Sequence, residues 1–503
     1  MAVLSPDTLL LNWLFALPFC AALAAELFPR LALRTRSERE AQALARGPLP
    51  FGAVTCLMGL ALSFRLLLTV SGDTKIAADY WWTRDLYHLR LGADSFSAVI
   101  VLAIYGLGLL IFVHMAGLPT ADRAHHRAAL LLTAQGCGIG VALSTDLILL
   151  VFLLHLMVLS LWSLVSLEAP READRLLVTC HIGASLVLGS ALLMWRQGGD
   201  TATAQLPLLL LSAGPSTLKL MALVALTGLL TIMPGVPGHG WLPRLARATP
   251  GTGLLSVTLL VLVATTVLLR ILPGMLLLPT VPGLGSTSLV LGLVTLWWGA
   301  VRAWLDHDMR GRAAWLTVAQ SGYLLIALAG AAGTTASPVF LEAASLHLMV
   351  TPLALLAIWL STSAVLARVG TDSLAALSAL FGQMPTAGLG LLAGGLSLAG
   401  VPPLAGFQVQ RLLVSGALAG GNWALAVTLV LANALILFVV WDIFRRAFLR
   451  RELPPPVRPG TLALALPVSI LVGALLLFGI WSQPLAQWSQ LAAGSVLSLR
   501  PAP

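Results

Sequence analysis

About fourteen apolar segments of roughly 20 residues follow one another along this chain, and few charged residues interrupt them. A helix needs about 20 mainly apolar residues to cross the hydrocarbon core of a bilayer. The segments lie near residues 8–29, 49–71, 94–117, 126–144, 146–167, 175–195, 216–234, 251–272, 286–305, 313–332, 338–367, 385–417, 422–448 and 461–482. The sequence therefore predicts an all-α polytopic membrane protein with about 14 transmembrane helices, in a single membrane domain that covers residues 1–503.

The composition excludes several classes of protein. Hydrophobic residues make up 58% of the chain and charged residues 10%, whereas a soluble domain carries roughly 25% charged residues. This excludes a soluble enzyme, a nucleic-acid-binding protein and a disordered chain. The four cysteines stand singly in apolar runs without CxxC spacing, so no disulfide or metal site is expected. We also find no phosphate-binding glycine loop, quinone motif or flavin motif, and we expect no cofactor.

Arginine is concentrated in the loops that follow odd-numbered segments. These loops contain, among others, Arg30, Arg34, Arg123, Arg171, Arg244, Arg302, Arg368 and Arg445. Loops rich in arginine and lysine remain in the cytoplasm. The pattern predicts a multi-pass protein of a bacterial inner membrane with both termini on the non-cytoplasmic side.

Proline and glycine interrupt two of the apolar segments. The seventh ends in Pro234-Gly-Val-Pro237-Gly-His239-Gly-Trp241, and the twelfth contains Gly400-Val-Pro402-Pro403-Leu-Ala-Gly406-Phe407. Proline lacks a backbone donor and clashes with the carbonyl four residues before it. We therefore predict that both helices are broken, near residues 233–238 and 400–406.

These two segments, and a third that runs from Asp308-Met-Arg310 to Gln320-Ser-Gly322, resemble motifs of the antiporter-like subunits. That family includes membrane subunits of respiratory complex I, of Mrp-type sodium/proton antiporters and of membrane-bound hydrogenases. The resemblance covers roughly residues 90 to 450. It implies two inverted five-helix repeats, residues 126–272 and 286–448, each with one broken helix. It also implies that the partners are the bilayer and other membrane subunits of a larger complex.

The resemblance further implies a row of buried ionisable groups that carries protons. The corresponding positions here hold His155, Ile232, Leu262, Gln320, Thr351 and Gln410. Isoleucine and leucine cannot carry a proton, and glutamine and threonine do not titrate. His155 remains titratable, His347 matches a histidine of the family, and His181 is placed to face His155. These three histidines are the candidate proton relay, and no residue is assigned a catalytic role.

Three interpretations of function remain open at this point. The chain can be a structural or coupling subunit whose pumping positions have been lost. It can be an active proton or cation transporter subunit that uses His155, His347 and ordered water. It can also be the membrane partner in an inorganic-carbon uptake complex. In each case the sequence predicts at most a non-redox subunit of a quinone-oxidoreductase-like or hydrogenase-like translocase.

Overall fold

The computed structural model describes most of the chain. The described residues are 5–32, 47–70, 75–83, 87–118, 123–198, 201–203, 214–249, 252–276, 283–332 and 337–497. Arg34 and the rest of the arginine-rich stretch at 33–46 lie outside them.

Within these ranges the fold is almost entirely helical, as predicted. In the first half the helices are α1 (Pro6–Ala25), α2 (Phe28–Ala32), α3 (Pro48–Thr69), α4 (Ser95–Ala116), α5 (Ala124–Leu143), α6 (Leu147–Ser166), α7 (Pro170–Gly198), α8 (Pro215–Ile232), α9 (Trp241–Ala248) and α10 (Thr252–Leu276). In the second half they are α11 (Leu284–Leu305), α12 (Met309–Ala331), α13 (Ser337–Val369), α14 (Pro385–Leu398), α15 (Gly406–Ala419), α16 (Trp423–Phe444), α17 (Leu462–Ile480) and α18 (Gln483–Leu497).

Each of the predicted segments coincides with a helix or with a pair of helices. Among the described residues, eleven helices are long and apolar enough to cross a membrane. Two shorter apolar helices, Val257–Ile271 and Pro385–Leu398, accompany them. The number of fourteen crossings and the division into two inverted repeats stay predictions.

The seventh segment is broken where its prolines predict. Helix α8 ends at Ile232 and α9 begins at Trp241. The Trp241 indole donates to the Thr231 carbonyl at 3.0 Å, and the backbone N–H of Val236 donates to Thr295 Oγ1 at 3.1 Å. Side chains therefore bond backbone groups that the break releases, as a membrane interior requires.

The twelfth segment is broken in the same manner. Helix α14 ends at Leu398 and α15 begins at Gly406. The Gly406 N–H donates to Ser397 Oγ at 3.1 Å, and the Ala405 N–H donates to the Leu475 carbonyl of α17 at 2.9 Å. Gly400 adopts a φ of 71°, in the left-handed region that favours glycine.

Two features were not predicted. Residues 76–93, between the second and third predicted spans, form an antiparallel hairpin of β1 (Ile76–Thr83) and β2 (Tyr87–Ala93), with Ile76 opposite Ala93. The missed signal is a run of tyrosine and tryptophan, residues that favour strands. The second feature is α18, which follows the last predicted span.

The interior of the bundle is formed mainly by α12 and α13, whose side chains are nearly all buried. Helices α3, α7, α11, α16 and α17 are less buried and leave apolar side chains exposed. Examples are Leu68, Val178, Val290, Val430 and Ile480. An outward apolar surface of this extent fits a protein surrounded by lipid or by other membrane subunits.

Candidate functional site

Two of the predicted relay histidines lie together at the edge of the bundle. The rings of His155 (α6) and His181 (α7) have their centroids 5.1 Å apart. His155 Nδ1 lies 2.8 Å from the Val151 carbonyl, which can only accept, so Nδ1 carries the proton. Nε2 lies 3.4 Å from Ser185 Oγ. Both rings are half-buried, and the neighbouring Ile182 is exposed.

Three other predicted positions meet in a small cavity in the second half of the chain. Gln320 of α12 and His347 and Thr351 of α13 are all buried, and they line a cavity of about 20 Å³. The His347 ring lies close to the backbone carbonyl of Gln320. Gln320 Nε2 is buried and has no hydrogen-bond partner among the described residues. Because a cavity of at least about 10–15 Å³ with polar walls holds one water, this space suits a single water molecule.

Polar side chains that the sequence analysis did not name complete the wall of this cavity. They are Thr265 of α10 and Thr317 and Ser321 of α12. Each of these hydroxyls also bonds a backbone carbonyl four residues earlier in its own helix. The sequence signal for these residues is a set of hydroxyl side chains at helical spacing in apolar segments. Such side chains are common in membrane helices, so this signal does not single out a site.

The remaining predicted positions do not line this cavity. Ile232, at the end of α8, and Leu262, in α10, are fully buried. Gln410 of α15 instead belongs to a separate network. Its Oε1 accepts from Asn433 Nδ2 at 3.3 Å, and Asn433 Oδ1 accepts from the Tyr323 hydroxyl. This network contains neutral groups from α12, α15 and α16.

Ion pairs gather at the arginine-rich end of the helices. Arg310 binds Asp372 through two hydrogen bonds of 2.9 Å, from Nε and Nη2. Arg312 and Asp442 form a buried pair at 2.8 Å, and Arg446 adds a second bond to Asp442 at 2.9 Å. These contacts tie α12 to the segment after α13 and to α16.

The same end contains a second group of acids. Burial and the nearby carboxylates of Asp372 and Asp306 raise the pKa of Asp308 above its usual value, although Arg247 and Arg310 act in the opposite direction. Asp306 itself is bound by Arg247 and by the indole of Trp315 at 3.1 Å. The Asp308-Met-Arg310 motif therefore forms the N-terminal end of α12.

At the opposite end, Arg270 of α10 connects three helices. It donates to the Ala142 carbonyl at 2.7 Å, to the Ser144 carbonyl at 3.1 Å and to Ser97 Oγ at 2.5 Å. The carboxylate of Asp94, which caps α4, lies 3.9 Å away. This arginine fastens α10 to α4 and to the junction of α5 and α6.

Beside the first break, His239 is held by two tryptophans. The Trp298 indole donates to His239 Nε2 at 3.0 Å, and the Trp315 ring lies 5.5 Å from the histidine ring. Because an indole N–H can only donate, His239 Nε2 is the acceptor in this contact, and the two tryptophans hold the ring in the turn.

Comparisons with known proteins agree with this architecture. The family model described as "NADH:quinone oxidoreductase/Mrp antiporter, TM" matches residues 144–436. Subunit N of the F(420)H(2) dehydrogenase of Methanosarcina mazei is 25% identical over 433 residues, 81% of this chain and 85% of that protein. NADH-quinone oxidoreductase subunit N of Desulforudis audaxviator is 27% identical over 396 residues, 75% of this chain and 78% of that protein.

A solved structure shows the same fold. A chain in the structure of the Mrp complex from Dietzia sp. DQ12-45-1b superposes with a TM-score of 0.82 at 20% identity, and the match covers 97% of both chains. The resemblance inferred from the broken-helix motifs is thus confirmed. Because the family model matches more than half of the sequence, the chain belongs to the NADH:quinone oxidoreductase/Mrp antiporter transmembrane family.

Proposed function

We propose that this chain is an antiporter-like subunit of a multisubunit membrane complex that serves mainly a structural or coupling role, because most of its pumping positions lack titratable groups. The observation that carries the proposal is the burial of Ile232 and Leu262. These positions correspond to lysines in the family by resemblance, and here both are apolar side chains that are fully buried.

The chemistry of a proton path explains why this matters. A path needs groups that exchange protons, or waters that have two to four polar partners each. Ile232 and Leu262 supply neither. Lys219, the nearest lysine in the sequence, is exposed near the start of α8, more than three helical turns before Ile232.

The partners of this chain follow from its relatives. Those relatives are subunits of a dehydrogenase, of a quinone oxidoreductase and of the Mrp complex. We infer that this chain also assembles with other membrane subunits. Its outward apolar surface provides the area for such contacts.

A second candidate function, active proton transport by another route, is favoured by one specific observation. The cavity beside His347 has room for about one water and contains the unbonded amide of Gln320. A titratable imidazole next to a water is a plausible unit of a relay. The proposal of a structural role excludes net proton movement through this unit.

Proton uptake by the intact complex in proteoliposomes separates the two candidates. We expect His155→Gln and His347→Gln to assemble normally and to retain uptake close to that of the wild type, since other subunits carry the protons. His307→Gln is the matched control, because His307 is exposed outside the helices. Native gels check assembly of each variant.

The opposite result has a clear meaning. If His155→Gln or His347→Gln assembles normally yet abolishes uptake while His307→Gln does not, this subunit moves protons itself. The structural proposal would then be wrong.

A further inference from the structure

We propose that Glu26, His125 and His126 form a binding site for a divalent transition-metal cation of the Zn²⁺ class. Glu26 directly follows α1, and the two histidines begin α5. One ligand atom from each residue lies within 4.8 Å of the other two. The site lies apart from the relay positions, and it does not depend on the proposed structural role.

The geometry of the three side chains supports this site. His126 Nδ1 lies 2.7 Å from Glu26 Oε1, and the two imidazole rings are 4.2 Å apart. Consecutive helical residues normally point in different directions, so two adjacent histidines that lie this close are unusual. Arg123, which precedes α5, has a φ of 54°, and the chain therefore turns sharply just before the pair.

A bound cation requires only small changes in these distances. Zinc binds histidine nitrogen at about 2.0–2.1 Å and carboxylate oxygen at about 2.0–2.2 Å. Two ligands of one tetrahedral zinc are then roughly 3.4 Å apart. His126 is exposed and Glu26 and His125 are half-buried, so rotation of these side chains can close the gap without moving the helices.

The donor set determines which cation fits. Imidazole suits zinc, copper, nickel and cobalt, whereas magnesium and calcium prefer oxygen ligands. Two histidines and one carboxylate supply three ligands and leave at least one position for water. The positive charge of nearby Arg127 does not strongly oppose a bound cation, because Arg127 forms an ion pair with Glu168.

Binding would have a structural effect on the chain. Glu26 and the histidines come from segments about one hundred residues apart in sequence, and a shared metal would fix the end of α1 to the start of α5. The arginine pattern predicts that this face is cytoplasmic. Occupancy would therefore respond to metal on that side of the membrane.

Cobalt titration of the purified full-length protein tests the site, with a tag that contains no histidine. Co²⁺ bound to nitrogen and oxygen ligands gives visible absorption bands, and Zn²⁺ should displace it while Mg²⁺ should not. We expect one saturable site per chain in the wild type. His126→Ala and Glu26→Gln should each weaken Co²⁺ binding at least about tenfold, since even the loss of a residue that only supports a ligand weakens metal binding 10- to 100-fold.

The controls separate loss of a ligand from loss of the fold. His307→Ala, an exposed histidine elsewhere, should bind Co²⁺ like the wild type. Zn²⁺ should raise the melting temperature of the wild type and of His307→Ala but not of His126→Ala, while all three melt alike in EDTA. Equal Co²⁺ affinity in wild type and His126→Ala, or no saturable binding in the wild type, would overturn the proposal and leave only a Glu26–His126 hydrogen bond.

Discussion

The contact between Arg312 and Asp442 shows how this protein keeps full charges inside a membrane bundle. The two side chains are 3% and 6% exposed, and Arg312 also donates to the Asp306 carbonyl at 2.9 Å. Breaking a buried ion pair leaves one charge without compensation, which is far more destabilising than the pair is stabilising. The net stabilisation that the pair provides is therefore small compared with the destabilisation that loss of one partner would cause.

Replacement of Asp442 measures the cost of leaving the Arg312 charge buried without a partner. Asp442→Asn should destabilise the protein by about 3–5 kcal/mol, because Arg312 remains buried without a counter-charge. Thermal unfolding in mild detergent measures the change.

The matched control is Arg445→Gln, which removes an exposed partner of the same carboxylate. It should change stability by about 0–1 kcal/mol. Similar losses in the two variants would show that burial of Arg312 is unimportant.

The two helix breaks depend on close packing of the neighbouring segments as much as on their prolines. A Cβ on Gly406 would lie 1.8 Å from the Ser397 carbonyl oxygen, and one on Gly400 would lie 2.7 Å from Gln410 Cβ. The second break is thus a close approach of α14 and α15 that larger residues would force apart.

Gly400→Ala tests the requirement for glycine at this break. The left-handed backbone alone should cost about 1–2 kcal/mol for alanine, and displacement of Gln410 adds to that loss. Circular dichroism with thermal melting checks the stability of the purified variant.

Gly473→Ala serves as the comparison, because a Cβ there meets open space in the middle of α17. This variant should be stabilised by about 0.5–1 kcal/mol. A Gly400→Ala protein as stable as Gly473→Ala would show that the break tolerates a side chain.

The sequence predicted the structure best where a few neighbouring residues determine the backbone conformation. Proline and glycine together specify a break near Pro234 and Pro402, and hydropathy locates apolar helices. The sequence allowed His181 to face His155, but the position of the pair beside exposed Ile182 depends on how α6 and α7 pack. The Tyr323–Asn433–Gln410 network joins residues about one hundred positions apart, which no local pattern in one sequence reveals.

For the whole molecule, α18 links the end of the chain to both halves. Trp488 is 8% exposed, its indole donates to the Ser95 carbonyl at 3.2 Å, and its ring stacks on Phe96 with centroids 6.2 Å apart. Gln490 donates to Glu342 of α13 at 3.4 Å. One short helix therefore contacts α4 and α13 together.

Trp488→Ala should release α18 from this surface. Truncation of a buried tryptophan costs about 3–5 kcal/mol, and here the loss should be local because α18 is a short helix. Limited proteolysis and hydrogen exchange should show faster cleavage and exchange at residues 483–497. Trp481→Ala, at a 58% exposed tryptophan, should leave both rates unchanged, and equal rates in the two variants would contradict the anchoring role of Trp488.

The buried isoleucine at the end of α8 has a further consequence for energy conservation. An ion-pumping complex stores free energy across the membrane as a voltage and an ion concentration difference. Any second path that lets ions flow back through the complex dissipates both. Under the structural role proposed above, the interrupted helix at Ile232, bonded through Trp241 and Thr295, would act as an electrical insulator. A complex that contains such a subunit would gain length and contact surface without an added leak, and its other members would set the ratio of ions moved to electrons transferred.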